Sequence, residues 1–237
     1  MINGIILIDK EKNITSYDVI RKLKRLLPRK YKIGHAGTLD PFATGLLVIL
    51  LGKGTKLMDT FHTLRKRYEV TAEFGYSTDT QDIDGEKIEK IDATTPIPQE
   101  VIEEKIQEKF LGSISQLPPV YSAKKVNGKK AYELAREGKE VELKPKQIQV
   151  SEFQILEYDW PIVKFSVQCS TGTYVRTLVN DLGKELGSLA TAIELRRTQI
   201  GDFKVEDSFK SSNIDEHFDL YSNHIVLDKV NEILQNE

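Results

Sequence analysis

Six apolar residues stand in a row from Leu46 to Leu51, with Gly45 before them and Gly52 after. The run is the longest of its kind in the chain. It is far too short to cross a bilayer, but it has the length of a strand. Side chains along a strand point alternately to two faces, so a strand that is apolar at every position must be covered on both. Such a strand requires a sheet with material packed on each side, and so a sizeable core. The chain has the length for it: a protein of 237 residues buries roughly 70–75% of the surface its unfolded form exposes.

Other segments supply the layers. Gly4 to Ile8 reads as a short strand. Thr15 and Asp18 have the spacing of a capping box, which predicts a helix from there to about Leu27, with Val19, Ile20, Leu23, Leu26 and Leu27 on its apolar side and Pro28 ending it. Gly34 to Pro41 reads as a loop, because two glycines and a proline fall within eight residues. Pro41 also biases Asp40 towards an extended backbone. Thr55 to Leu64 is expected to be helical. Tyr68, Val70, Ala72 and Phe74 alternate as one face of a strand, and Ser77 to Gly85 is polar and rich in turn formers. A helix is expected over Pro98 to Leu111, carrying Val101, Ile102, Ile106 and Phe110. Ile162 to Cys169 alternates again. The Thr171-Gly172-Thr173 turn leads into a helix from about Tyr174 to Leu186, whose core stripe is Val175, Leu178, Val179, Leu182 and Leu186. Strands and helices mixed in this way point to an α+β domain around one large sheet.

Charge is informative in its distribution. The net charge is −2, yet Arg21 to Lys32 holds seven Lys or Arg in twelve residues with no acid. Lys124 to Lys146 holds eight basic residues against four acids. Local basic density, rather than the average, sets attraction to phosphate. The single cysteine, Cys169, cannot form an internal disulfide or a cysteine-rich zinc site. The N-terminal residues lack the pattern of a secretion signal. A cytoplasmic protein is the expectation.

Several familiar motifs fail on counting. Gly45 to Lys53 has the wrong glycine spacing for a phosphate-binding loop, and Gly54 stands where Ser or Thr would bind magnesium. Asp82-Ile83-Asp84-Gly85 has the look of a calcium loop, but alignment on Gly85 places Thr80 first and Ile91 twelfth, so both end carboxylates are missing. His35, His62, His217 and His224 form no ligand pair. No metal site is expected.

Four segments remain, in order. The first is Gly34-His35-Ala36-Gly37-Thr38-Leu39-Asp40-Pro41 with Ala43-Thr44-Gly45-Leu46-Leu47. The second is Lys66-Arg67-Tyr68 leading to Thr78-Asp79-Thr80 and Asp84-Gly85. The third runs from Gln116-Leu117-Pro118-Pro119 through Tyr121-Ser122-Ala123-Lys124-Lys125 to Asn127-Gly128. The fourth joins Gly172-Thr173-Tyr174-Val175-Arg176-Thr177-Leu178 to Asp181-Leu182-Gly183 and Leu195-Arg196-Arg197-Thr198. In this order and spacing the chain resembles the TruB-type tRNA pseudouridine-55 synthases, over about Gly4 to Phe203. The resemblance implies the pseudouridine-synthase fold: a large mixed, mainly antiparallel sheet flanked by helices, with a central RNA-binding cleft. It implies isomerisation of a uridine in the T loop of tRNA, with the T-arm stem-loop as partner. The reaction breaks the N-glycosidic bond, turns the base and rejoins it through C5. With no net redox change and no outside group, it needs no cofactor.

The same resemblance implies residue roles. Asp40 matches the nucleophile, and a carboxylate can hold the intermediate. Without the resemblance, Asp40 would read as a turn aspartate before proline. Arg176 matches the arginine that pairs with the catalytic aspartate; by itself it reads as an exposed helix arginine. Tyr68 matches the tyrosine that stacks on the target base. Tyr174 and Leu195 match positions that contact the flipped nucleotide. His35 matches the histidine that helps take the base out of its stack, a step needed before C1′ and C5 can be reached. Lys124 and Lys125, with the neighbouring lysines and the Arg21 to Lys32 run, are expected to grip phosphates without reading sequence.

Many bacterial members carry a C-terminal RNA-binding domain of the PUA type. Only 34 residues follow Phe203, so the expectation is a single catalytic domain over 1–237, with no PUA-type domain. Residues 204–237 would form a short closing segment that includes a helix from Val226 to Leu234, in a chain that acts as a monomer. The competing reading is a tRNA-binding and folding module without chemistry. Asp40, Tyr68 and Arg176 together favour the enzyme, because an aspartate among basic loops would only repel phosphate in a pure binder.

Overall fold

The computed structural model describes residues 2–122, 124–126, 128–138 and 141–235. Ala123 and Asn127 of the third motif, and Lys139 of the second basic run, lie outside the described residues. The chain divides into two compact units, one formed by residues 1–68 with 195–237 and the other by residues 69–194. The large sheet has eleven strands among the described residues and is mainly antiparallel, with helices flanking it. No helix among the described residues is long and apolar enough to cross a membrane.

The first unit opens with β1 (Gly4–Lys10), α1 (Ser16–Lys24), β2 (Ile33–Ala36), β3 (Thr44–Leu51), α2 (Met58–Thr63) and the start of β4 (Lys66–Phe74). The apolar run is β3. Leu46, Val48 and Leu50 join a core with Ile5, Leu7 and Phe61, while Leu47, Ile49 and Leu51 are just as fully buried on the other face. Each such side chain contributes about 1.5–3 kcal/mol by leaving water. Strand β3 pairs antiparallel with β1, where Lys10 faces Gly45, and antiparallel with β2, where His35 faces Ile49.

The capping box of α1 is formed: the Asp18 N–H donates to Thr15 Oγ1 (3.1 Å), and the Thr15 N–H donates to Asp18 Oδ2 (2.7 Å). The helix is shorter than its periodicity implies, because the N–H groups of Leu26 and Leu27 turn back to the carbonyls three residues earlier. Such tightening is common in a last turn. Gly34 to Ala36 are also not loop. They are drawn into β2 by backbone pairing to β3, which the local composition does not reveal.

The second unit continues β4 and adds β5 (Tyr76–Thr78), β6 (Lys87–Lys90), α3 (Gln99–Lys109), β7 (Gly112–Gln116), β8 (Lys125–Val126), β9 (Lys129–Lys130), α4 (Ala131–Arg136), β10 (Lys146–Asp159), β11 (Ile162–Cys169), α5 (Val175–Glu185) and the start of β12 (Ala190–Ile200). Its sheet order is β4–β11–β10–β7. Val70, Ala72 and Phe74 are buried as the alternation requires. Phe110, Phe153 and Phe165 interlock edge to face, with centroids 6.1 and 5.2 Å apart. In α3 the buried face is Ile102 and Ile106, followed by Phe110; Val101 falls one position off it and is exposed, against expectation.

Past Leu195 the chain rejoins the first unit. There β12 pairs parallel with β3, so that Arg197 stands opposite Gly45. Then follow β13 (Phe203–Lys204), β14 (Phe209–Lys210), α6 (Leu220–Asn223), β15 (Ile225–Val226) and α7 (Leu227–Gln235). The last is the expected closing helix, and its Val230 joins the core of β1 and β3.

Candidate active site

The first unit builds its site around the segment from Gly37 to Leu46. Asp40 is half-buried, and the backbone on each side of it is held. The Leu39 N–H donates to Ser16 Oγ (2.9 Å), whose hydroxyl lies 3.2 Å from the Leu39 carbonyl. The Pro41 carbonyl accepts from the Asn13 N–H (2.8 Å) and from Lys10 Nζ (3.3 Å). The Asp40 carbonyl closes a turn with the Ala43 N–H (3.1 Å). A carboxylate on a loop fixed in this way needs little reorganisation before it reacts.

Two buried cations frame the loop, and the sequence reading singled out neither. Lys10 is fully buried and also donates to the carbonyls of Glu11 (2.9 Å) and Ile14 (2.8 Å). Burial pulls its pKa down from 10.5 to about 8, against the pull of Asp40's negative charge, which raises it. Charge interaction is mutual, so Lys10 favours the ionised form of Asp40. Arg197 donates from Nε to the Leu46 carbonyl (2.7 Å) and from Nη2 to the Gly37 carbonyl (3.1 Å). The sequence signals are a lysine ending an apolar strand and, for Arg197, a place in the fourth motif beside Arg196.

His35, in β2, is half-buried. Burial first, and then the positive charge of Arg197, hold its pKa below the usual 6.5, more than the Gly37 backbone offsets. Tyr68 lies in β4, half-buried at the head of the Val70, Ala72, Phe74 face. Leu195 is buried within β12. These three residues and Asp40 all belong to the first unit.

The second unit carries Tyr174, Arg176, Lys124 and Lys125. Arg176 is not the exposed helix arginine that its position alone suggests: it is only 4% exposed, in the first turn of α5. Nη1 meets Asp82 Oδ2 at 2.9 Å and the Thr80 carbonyl at 3.1 Å, and Nη2 meets the Tyr121 carbonyl at 2.5 Å. Thr80 Oγ1 in turn donates to Asp82 Oδ1 (2.6 Å). Asp82 is therefore a site residue that sequence reasoning passed over, having met it only in a failed calcium motif. Tyr174 caps α5, with its N–H on Gln116 Oε1 (2.9 Å) and its carbonyl accepting from Gln116 Nε2 (3.0 Å). Lys124 is half-buried with Nζ on the Lys144 carbonyl (3.2 Å), and Lys125 lies in β8 opposite Lys130. No cluster of three or more His, Cys, Asp or Glu among the described residues is arranged to hold a metal.

Comparison with known proteins matches residues 24–175 to the family model "TruB family pseudouridylate synthase (N terminal domain)" and residues 176–236 to "tRNA pseudouridylate synthase B C-terminal domain". The two family models meet inside α5, between Val175 and Arg176. The chain is 45% identical over 222 residues to tRNA pseudouridine synthase B of Lactobacillus acidophilus, covering 91% of this chain and 74% of that protein. It is 43% identical over 217 residues to tRNA pseudouridine synthase B of Parabacteroides distasonis, covering 90% and 92%. Among solved structures it is similar to a chain of a Cbf5-Nop10-Gar1 complex, with TM-score 0.67 and 29% identity over 87% of this chain. It is similar in fold to a chain of an H/ACA RNP bound to a substrate RNA containing 2'-deoxyuridine, with TM-score 0.70 and 24% identity over 97% of this chain. It spans 52% and 61% of those two longer chains.

Proposed function

The chain belongs to the TruB family of pseudouridylate synthases, and from that premise we propose that it isomerises a uridine to pseudouridine in the T loop of tRNA, with Asp40 as nucleophile. The observation that carries the assignment is the state of the Asp40 loop. A half-exposed carboxylate sits on a backbone held by Ser16, Asn13, Lys10 and Arg197. Catalysis by a nucleophile requires that fixed aim, whereas a turn aspartate with a purely structural role has no need of it.

The other roles follow the chemistry of each group. Tyr68 stacks on the target base. His35, held neutral, enters the space that the base leaves in the T loop, offsetting an unstacking cost of a few kcal/mol. Arg176, fixed by Asp82, supplies the positive charge that carboxylate chemistry needs, and Tyr174 and Leu195 contact the flipped nucleotide. Lys124, Lys125 and the Arg21 to Lys32 run hold phosphates. The assignment of Asp40 serves either direct attack at C1′ or elimination to a glycal.

The test is release of tritium from unmodified tRNA labelled at uridine C5, with Asp40→Asn beside the wild type. Release by the wild type alone, mapped to the T loop, is the expected result. Release by Asp40→Asn near the wild-type rate would remove Asp40 from the chemistry. A wild type that binds tRNA and releases nothing would leave the tRNA-folding module as the better reading.

A further inference from the structure

We propose that Arg197 is a positioning residue for the nucleophile loop, tying together the two ends of the segment that carries Asp40. The inference rests on the reading of Asp40 as nucleophile. The two carbonyls that Arg197 holds belong to Gly37 and Leu46, three residues before Asp40 and six after it. A guanidinium is suited to this, since it presents several donors in a rigid plane.

The backbone is built around this side chain. Gly45 lies between two strands, with Lys10 opposite it on β1 and Arg197 opposite it on β12. It has φ +101°, and a Cβ there would lie 2.3 Å from the Arg197 carbonyl oxygen. Gly37 has φ +90°, and a Cβ there would lie 3.3 Å from Arg197 Nη1. The loop thus closes onto residue 197 at both ends, through glycines that leave room for it.

Arg196, the neighbour of Arg197 on this strand, takes a carboxylate as partner. It reaches Asp9 with two parallel bonds of 2.9 and 2.8 Å and remains partly exposed. Arg197 is 1% exposed, and its bonds go to loop carbonyls. Burying a charge is costly, and an apolar residue could have filled the same volume. What an apolar residue could not do is hold both loop ends and bring positive charge to His35. That imidazole also faces His62 and the Gly37 backbone.

The experiment uses the full chain and unmodified tRNA, with Arg197→Met, Arg197→Lys and Asp40→Asn beside the wild type. Single-turnover rate, tRNA affinity, thermal melting and the His35 titration by NMR are measured for each. Arg197→Met should bind tRNA within about twofold of wild type while its chemical step slows about 100-fold, the cost of a small misplacement of a reacting group. Its His35 should titrate at higher pH, because a nearby positive charge is gone. Arg197→Lys should keep the His35 titration near wild type yet recover little of the rate, since one ammonium on a different stem cannot reproduce both bonds. A wild-type rate in either variant, with Asp40→Asn inactive, overturns the inference and leaves the nucleophile standing. So does a loss that appears wholly in tRNA affinity, or loss of the fold in both variants. Activity in Asp40→Asn would instead remove the nucleophile reading itself.

Discussion

The two units handle buried cations differently. In the first unit, Lys10 and Arg197 donate to backbone carbonyls, and Lys66 does the same with the carbonyls of Phe61, His62 and Leu64 at the end of α2. In the second unit, Arg176 meets a buried carboxylate, Asp82, as well as two carbonyls. Carbonyl oxygens carry only partial charge, so they orient a cation without cancelling it. A carboxylate fixes it and offsets part of its charge. The first arrangement keeps the charges of Lys10 and Arg197 at the Asp40 loop; the second yields an arginine whose place is set by an ion pair. A buried positive charge can therefore serve as field or as anchor, and the nature of its acceptors decides which.

The largest expected effect tests the anchor. Asp82→Ala should lower stability by about 3–5 kcal/mol in urea unfolding, because it takes a carboxylate partner from a buried guanidinium. A loss below about 1 kcal/mol, the scale of an exposed ion pair, would mean that water or another group takes over and that the contrast between the units is false.

The field is tested by pH. Lys10 has a folded pKa near 8 against 10.5 for the ordinary group. Between those values the unfolded chain binds more protons than the folded one, so stability rises with pH; below pH 8 the full cost of burying the charge is present. Measured against Lys10→Met, wild-type stability should gain up to about 3 kcal/mol from pH 8 to 10.5. A difference that stays flat across that window would show that Lys10 is not strained by burial.

The smallest effect concerns the support beneath the loop. Thr15→Ala removes the cap of α1, whose next residue, Ser16, holds Leu39. It should cost about 1 kcal/mol of stability and slow tritium release only slightly. A large fall in rate at that small stability cost would tie the cap to the aim of Asp40 more closely than these contacts imply.

Much of this molecule was legible before folding. The strand Thr44–Leu51 announced itself by composition, α5 by its apolar stripe, and the start of α1 by its capping box. The 14-residue strand β10 did not, because register shifts after Val150 and Ile155 break the period of two on which such readings depend. The strand through Leu195 to Thr198 was not read either, since two adjacent arginines hide a strand that buries one and leaves the other partly exposed. Asp40, His35 and Tyr68 were chosen through motif order. Asp82, Lys10 and Arg197 were given no role, although each is one hydrogen bond away from a candidate site residue or its loop.

What the sequence determined by itself is therefore what local spacing can encode: which segments are strand or helix, which faces are apolar, and which ordered motifs carry a carboxylate, a tyrosine and an arginine. The tertiary structure decided who holds whom. Arg197 and Leu46 are 151 positions apart, Arg176 and Asp82 are 94 apart, and Lys10 and Pro41 are 31 apart. No periodicity spans such distances. The physical reason is that a buried polar group must find a partner wherever the fold brings one, and sequence spacing holds no record of that choice.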